Sequence, residues 1–327
     1  MHAMATDRGS QIRFNMFEEQ KALETFRFQA AENPVYKQYL ELLDCNPLSI
    51  KEVSRIPFLP VEFFKSHRVV TGTGRETRIF ESSGTTGADT SKHYILNDEV
   101  YINSLSTGFR EFFGEPSSWC FLALLPSYLE RQNSSLVFMM DHLIRQSRNA
   151  LSGFYLNNLD QLAENLKILE ESGQKTMLIG VSFALLDLAT LFPMPLNHTI
   201  VVETGGMKGR RRELTRTELH GILKEAFRLD AVGSEYGMTE LLSQAWSTGG
   251  GLYQCPPGMK ILIRDPYDPL RHMPVGKSGG IDVIDLANRN SCSFIQTQDL
   301  GRLHPDGSFE VLGRFDNSEL RGCNLML

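Results

Sequence analysis

Short β-rich runs alternate with helical patterns through the middle of this 327-residue chain. Residues 119–125, 176–181 and 199–203 are β-rich, and residues 98–113 and 159–171 have helical spacing of apolar side chains. Strands that alternate with helices are typical of a layered, mostly parallel sheet. We therefore predict an α/β fold for this part of the chain.

The two ends of the chain differ from the middle. Residues 16–44 repeat apolar side chains at helical spacing with a break at Asn33-Pro34, and residues 56–65 form an apolar extended segment bounded by prolines. From residue 260 onward short strands and turns predominate, which predicts a small β-rich subdomain. We expect three parts: a helical segment over residues 1–70 packed on the core, an α/β core over 71–255, and the β-rich subdomain over 256–327 with a short tail.

The composition excludes several classes of protein. A hydrophobic content of 41%, a charged content of 22% and a net charge of −6 are typical of soluble globular enzymes. An acidic chain lacks the basic surface that nucleic-acid backbones require, so we expect no nucleic-acid partner. No apolar run reaches transmembrane length, and the amino terminus has no signal-peptide pattern. Five scattered cysteines without a C-x-x-C pair argue against zinc or disulfides and favour a reducing cytoplasm.

A loop of hydroxyl side chains and glycines follows a predicted short strand at residues 78–81. The loop consists of Ser82, Ser83, Gly84, Thr85, Thr86 and Gly87. Backbone N–H groups and hydroxyls of such a loop can surround a phosphate chain. No G-x-x-x-x-G-K-[ST] sequence accompanies it, so it is not a Walker P-loop. The alternative interpretation of this loop is a turn that binds no ligand. Lys92, five residues after the loop, would either neutralise phosphate charge or lie on the surface without such a role.

A second motif lies far downstream and combines an aromatic ring, a glycine, a hydroxyl and a carboxylate. It consists of Tyr236, Gly237, Met238, Thr239 and Glu240. This set suits stacking on a flat base, close approach of the backbone, a phosphate contact and a metal ligand. A core tyrosine is the alternative for Tyr236. The two motifs together indicate a protein that handles ATP without a P-loop.

The loop and the second motif, in this order, resemble the adenylate-forming superfamily of acyl-CoA synthetases, luciferases and peptide-synthetase adenylation domains. Residues 297–302 (T-Q-D-L-G-R) are similar to its T-G-D-x-G-R segment, with Gln298 in place of the first glycine. Residues 313–316, followed by Arg321-Gly322, are similar to its hinge, although one residue and the usual lysine are missing. The resemblance covers residues 75–323 and implies the fold of the large amino-terminal part of these enzymes.

The resemblance also implies roles for individual residues. The hydroxyl loop would bind the phosphates of ATP, Tyr236 with Gly237 would bind adenine, Thr239 would contact phosphate, and Glu240 would help to hold Mg²⁺. Asp299 would accept hydrogen bonds from the ribose hydroxyls, and Arg314 would reach the ribose or a phosphate.

A glycine-rich segment after a β run resembles the family's segment beside adenine and the acyl pocket. It contains Gly205 and Gly206, whose missing side chains would let a flat ligand approach the backbone. A tight turn after a strand explains these glycines equally well.

The carboxyl terminus resembles one branch of the superfamily, the LuxE-type acyl-protein synthetases. The printed sequence ends five residues after Gly322 and carries Cys323 near its end. We therefore expect the small carboxyl-terminal domain of other adenylate-forming enzymes to be missing. In that branch a cysteine near the terminus takes the acyl group from acyl-AMP and passes it to a reductase. A thiolate is a good nucleophile towards a mixed anhydride, although a small terminal hydrophobe without chemistry is the alternative for Cys323.

These resemblances predict ATP- and Mg²⁺-dependent activation of a fatty or other carboxylic acid. Acyl transfer to Cys323 and on to an acyl reductase or another acceptor protein would follow. An acyl- or aryl-CoA ligase completed by a separate domain is a second hypothesis. A catalytically idle nucleotide-binding subunit that regulates or scaffolds a partner is the third.

Overall fold

The computed structural model describes residues 16–83, 90–126, 131–205 and 214–315. The helices within these ranges are α1 Met16–Glu32, α2 Pro34–Leu42, α3 Phe63–Ser66, α4 Asp98–Phe113, α5 Ser135–Ser147, α6 Leu159–Ser172, α7 Ser182–Leu191 and α8 Arg216–Phe227. The strands are β1 Leu59–Pro60, β2 Arg78–Glu81, β3 Lys92–Ile95, β4 Cys120–Leu124, β5 Gly153–Phe154, β6 Thr176–Gly180, β7 Thr199–Glu203, β8 Gly233–Tyr236, β9 Ala245–Ser247, β10 Leu252–Tyr253, β11 Met259–Arg264, β12 Ser278–Asp285, β13 Phe294–Leu303 and β14 Phe309–Arg314.

A six-stranded sheet forms the middle of the molecule, in the order β5-β4-β6-β7-β8-β9. All its pairings are parallel except that of β9 with β8. Every residue of β4 and β6 is buried, because helices cover both faces of a parallel sheet. Helices α6, α7 and α8 contribute to the core on one face, and α4 and α5 to the core on the other. The predicted α/β fold is confirmed.

A second sheet is antiparallel and follows the order β10-β14-β13-β12-β11, with β1 added in parallel to β13. The amino-terminal helices α1 and α2 share one core with this sheet. Phe26 and Tyr36 place their rings 5.9 Å and 6.4 Å from the ring of Phe294. The predicted β-rich region near the carboxyl terminus is therefore present, whereas the division at residues 70 and 255 stays a prediction.

The predicted break between the first two helices has a local cause. Pro34 begins α2, and the Asn33 side chain accepts hydrogen bonds from the backbone N–H groups of Val35 and Tyr36. Proline suits the first turn of a helix, and asparagine is a favoured residue before it. Of the helices that the structure describes, none is both long enough and apolar enough to cross a membrane.

Candidate active site

The hydroxyl loop joins the two strands of the β2–β3 hairpin. Ser82 N donates to Ser91 O at 3.1 Å, and Ser91 N donates to Ser82 Oγ at 3.0 Å, so the base of the loop is closed by paired bonds. Ser82 is half-buried and Ser83 is exposed. The other predicted loop residues, Gly84, Thr85, Thr86 and Gly87, lie outside the described residues. Lys92 begins β3, is half-exposed, and lies 4.0 Å from the Glu81 carboxylate.

The strand after the loop contacts the second motif directly. His93 Nδ1 donates to the carbonyl oxygen of Thr239 at 2.8 Å, and the Ser91 side chain hydrogen-bonds to the Glu240 carboxylate. Asn288 Nδ2 donates to the carbonyl oxygen of Glu240 at 2.7 Å. The tertiary structure thus places the base of the hydroxyl loop beside the predicted metal ligand.

His93 is fully buried and neutral. Burial lowers its pKa to about 4, against the smaller opposing effect of its hydrogen bonds. Because the Thr239 carbonyl can only accept, the proton of the neutral ring is on Nδ1. Among the described residues, only the side chain of Asn288 lies close enough to His93 Nε2 to affect its pKa through a hydrogen bond. We interpret His93 as a residue that fixes the backbone of the second motif.

Glu240 is a buried carboxylate whose pKa is raised. Its exposed fraction is 6%, and burial raises its pKa, against the hydrogen bond from Ser91 and the charges of Arg314 and Lys65. No cation in the described parts of the chain pairs with it within 4.0 Å, and no cluster of three or more metal-ligating side chains occurs there. A single carboxylate nevertheless suits Mg²⁺, which usually takes one or two carboxylates together with substrate phosphates.

The second motif also contacts the last two predicted segments. Tyr236 donates from its hydroxyl to Asp299 Oδ2 at 2.9 Å, and Arg314 Nε donates to Asp299 Oδ1 at 3.3 Å. Asp299 and Arg314 are paired across β13 and β14. Asp299 is only 8% exposed, whereas the Arg314 side chain is mostly exposed. Each carboxylate oxygen has two lone pairs, so Asp299 can accept further hydrogen bonds from a ligand.

The Tyr236 ring is packed against two other aromatic rings. The centroids of Tyr253 and Phe309 lie 5.9 Å and 5.5 Å away, both with edge-to-face geometry. Burial, followed by the charge of Asp299, raises the pKa of Tyr236 well above its usual value, so its hydroxyl remains a donor. Its predicted contact with adenine, and that of Gly237, stay predictions.

A buried arginine supports the strand that carries Asp299. Arg264 donates to Asp282 Oδ1 at 2.8 Å and to the carbonyl oxygen of Thr297 at 2.6 Å. Its guanidinium also lies 5.3 Å from the centre of the ring of Phe315, which is the residue that follows Arg314 in the sequence. The Thr297 hydroxyl in turn accepts from Asp299 N at 3.1 Å. Arg264 therefore links the two segments that carry Asp299 and Arg314.

The glycine-rich segment begins with a turn at the end of β7. Gly205 has φ +75°, and its N–H donates to Glu203 Oε2 at 2.7 Å. Burial alone would raise the pKa of Glu203. The opposing effects outweigh burial and leave the pKa lowered; they are hydrogen bonds from His220, Ser234 and Gly205 and the charge of Arg216. Glu203 is thus an ionised group that fixes the turn. Gly206 and Cys323 lie outside the described residues.

Several residues around the site are absent from the sequence predictions. Asp285 accepts from Leu242 N at 2.7 Å and from Ser243 N at 3.0 Å, which fixes the chain just after Glu240. His93 lies inside the short strand β3, and Arg264 and Asp285 are the last residues of β11 and β12, so a polar residue within or at the end of a strand was the available signal. The signal marks a polar contact but does not identify the partner.

Solved structures of two other proteins are similar to this chain. Among curated proteins no sequence match is found. The ATP-bound structure of MatB from Rhodopseudomonas palustris is 18% identical, with a TM-score of 0.55 over 74% of this chain and 49% of that one. The chain thus spans about half the length of that protein.

A 2-hydroxyisobutyryl-CoA ligase is also similar in fold. Its structure in the postadenylation state with R3-HIB-AMP is 13% identical, with a TM-score of 0.69 over 97% of this chain and 73% of that one. Its open conformation, in complex with 2-HIB-AMP and CoA, gives a TM-score of 0.65 over 91% and 74%. The model of the family "Acyl-protein synthetase, LuxE" matches residues 6–327, and the chain therefore belongs to the LuxE acyl-protein synthetase family.

Proposed function

We propose that this protein activates a carboxylic acid with ATP and transfers the acyl group to its own Cys323. In the first step an oxygen of the acid attacks the α-phosphorus, the bond from that phosphorus to the bridging oxygen breaks, and pyrophosphate leaves. In the second step the Cys323 thiolate attacks the carbonyl carbon of acyl-AMP, the bond to the phosphate oxygen breaks, and AMP leaves. The thioester then passes to an acyl-reductase or another acceptor protein.

One observation carries the first step: all four predicted segments converge. Ser91 and His93, at the end of the hydroxyl loop, contact Glu240 and Thr239, and Tyr236 contacts Asp299. Asp299 in turn pairs with Arg314. Alignment of the acid with the phosphorus and neutralisation of phosphate charge are the main requirements of this chemistry. The closeness of Ser82 and Ser91, at the base of the hydroxyl loop, to the carboxylate that we assign to a cation supports this proposal, as does the contact of the same motif with the carboxylate that we assign to the ribose.

Each residue then has a defined task. The hydroxyl loop, with Thr239, binds the phosphates, and Asp299 orients the ribose. Glu240 would hold Mg²⁺, which neutralises charge on the phosphates when bound. Arg314 has an exposed side chain beside Asp299 and can reach the nucleotide. Family membership favours a fatty acid as substrate, and a cysteine nucleophile suits a reducing cytoplasm.

The two half-reactions provide the test. Wild-type protein with ATP, Mg²⁺ and a panel of acids should show acid-dependent exchange of pyrophosphate into ATP, and should acquire an acyl group that hydroxylamine releases. Cys323→Ser should retain exchange and lose the thioester, because the thiol takes part only in the second step. If acyl-CoA forms when CoA is added, the protein is a CoA ligase and transfer to Cys323 is not its reaction. Absence of exchange with every acid would support an idle subunit.

A further inference from the structure

The segment that leads into helix α3 runs along β13, the strand that carries Asp299. β1 pairs in parallel with β13, and just beyond β1 Val61 N donates to the carbonyl oxygen of Gln296 at 2.9 Å. Gln298, the residue before Asp299, donates from Nε2 to the carboxylate of Glu62. Glu62 immediately precedes α3. The start of α3 is therefore tied to the residue next to the predicted ribose carboxylate.

The buried side of α3 packs on the strand that supports the second motif. Phe64 is only 1% exposed, and the centre of its ring lies 5.7 Å from that of His93 on β3, in edge-to-face geometry. His93 Nδ1 donates to the carbonyl oxygen of Thr239, the residue before Glu240. A single helical turn therefore connects the neighbourhood of Glu240 with that of Asp299.

Lys65 follows Phe64 and lies on the exposed side of α3. Burial raises the pKa of Glu240, and the charges of Arg314 and Lys65 are among the effects that oppose it. Lys65 is thus near enough to act on Glu240 electrostatically, although within the described ranges its ammonium makes no ion pair or hydrogen bond. An ammonium without a protein partner next to a candidate phosphate site is available to bind an anion.

The covalent structure of ATP fixes which phosphate lies between the two carboxylates. The α-phosphorus is joined to the ribose through one oxygen and to the β-phosphate through another. With the ribose at Asp299 and the Mg²⁺-bound phosphates at Glu240, the α-phosphate lies between these two groups. Both carboxylates repel this anion, so cations must offset their charge. Besides Mg²⁺, Arg314 and Lys65 are the cations whose charge reaches Glu240.

We propose that Lys65 is a catalytic residue of the adenylation reaction and that its ammonium binds an oxygen of the α-phosphate. The inference rests on the proposed function, because it uses the places assigned there to the ribose and to Mg²⁺. While the acid attacks and pyrophosphate leaves, both oxygens are partly bonded to the α-phosphorus, and a fixed cation stabilises the charge on its other oxygens. Lys65 keeps its proton throughout, so acid and ATP give acyl-AMP and pyrophosphate without a proton transfer to or from it.

Binding of AMP and of adenosine separates a phosphate contact from a structural role, because the two ligands differ only in the α-phosphate. Lys65→Met removes the charge from a side chain of similar length. We expect it to weaken AMP binding by about 10-fold or more, as for the loss of a hydrogen bond to a charged group, and adenosine binding by less than about 3-fold. Lys65→Arg keeps the charge and should bind AMP more tightly than Lys65→Met. Calorimetric titration measures all four affinities.

Acid-dependent pyrophosphate exchange measures the contribution to the reaction. Lys65→Met should lower kcat by about 100-fold and change KM for ATP much less, because a cation at the α-phosphate acts mainly in the transition state. Lys167→Met is the matched control, since it removes the same charge from an exposed side chain on α6. It should leave AMP binding and exchange unchanged.

The outcomes distinguish this inference from the proposed function. Equal losses for AMP and adenosine in Lys65→Met would overturn it, since Lys65 would then act through the fold. Unchanged AMP binding in Lys65→Met, or AMP binding no tighter in Lys65→Arg than in Lys65→Met, would also overturn it. Absence of exchange with every acid in the wild type would instead overturn the proposed reaction, while the AMP titrations would still decide the phosphate contact.

Discussion

Replacement of Asp299 by asparagine is the sharpest test of the nucleotide site. In the structure Oδ2 accepts from the Tyr236 hydroxyl at 2.9 Å and Oδ1 from Arg314 Nε at 3.3 Å. An asparagine has one carboxamide oxygen, and we expect it to keep the buried Tyr236 bond. Its NH₂ group then faces Arg314, whose mostly exposed side chain can turn into water. The structural cost is therefore that of an exposed ion pair, about 0.2–1 kcal/mol.

The cost to nucleotide binding is larger. A hydrogen bond to a charged group is worth about 1.5–3 kcal/mol, so Asp299→Asn should weaken ATP binding by roughly 10- to 150-fold. For 2′,3′-dideoxy-ATP the same change should alter the affinity by less than about 3-fold, because the ribose hydroxyls that Asp299 would bind are missing. The ratio of the two losses is therefore the quantity that identifies a ribose contact.

Calorimetric titration with both nucleotides in the presence of Mg²⁺ measures these affinities. Urea unfolding of the same variant gives the structural cost, and Arg314→Gln serves as a matched control that removes the pair from the other side. Equal losses of affinity for ATP and for the dideoxy analogue would refute the reasoning, since Asp299 would then act only through Tyr236 and the fold. Unchanged ATP affinity would place ribose recognition elsewhere.

Three further outcomes are expected. Glu240→Gln should lower acid-dependent pyrophosphate exchange by about 100-fold or more, because the buried carboxylate loses its charge; near-normal exchange would remove its role as a metal ligand. His93→Asn should remove part of the acid sensitivity of the fold. The pKa of His93 in the folded protein is about 4, below the usual value near 6.5, so the unfolded chain takes up this proton at a higher pH than the folded one. The free energy of unfolding of the wild type should therefore decrease by about 3 kcal/mol as the pH falls from about 6.5 to about 4, and the variant should lack this contribution. Urea unfolding at pH 7 and pH 4.5 checks this, and an identical pH slope in both proteins would contradict it. Arg264→Met should reduce the free energy of unfolding by about 1–3 kcal/mol, because Asp282 would keep its contact with His272 but lose the hydrogen bond from the buried arginine. Unchanged stability would contradict this account of the support for Asp299.

Local sequence patterns determined the secondary structure and the types of residue at the site. Helix α4 begins and ends where its apolar spacing predicts, because its cap at Asn97 and its buried positions are properties of consecutive residues. Strands β4, β6 and β7 were predicted for the same reason, since burial on both faces requires a continuous apolar run. Residue chemistry alone predicted a nucleotide site at residues 82–87 and 236–240, whereas the order of the four motifs supported it only through resemblance to a known superfamily.

Only the tertiary structure decided which of these residues meet and which other residues support them. His93 contacts Thr239 across 146 positions of sequence, and Tyr236 contacts Asp299 across 63. Strand pairing and the packing of two sheets fix such contacts, and a periodic pattern within one strand contains no information about the partner on another.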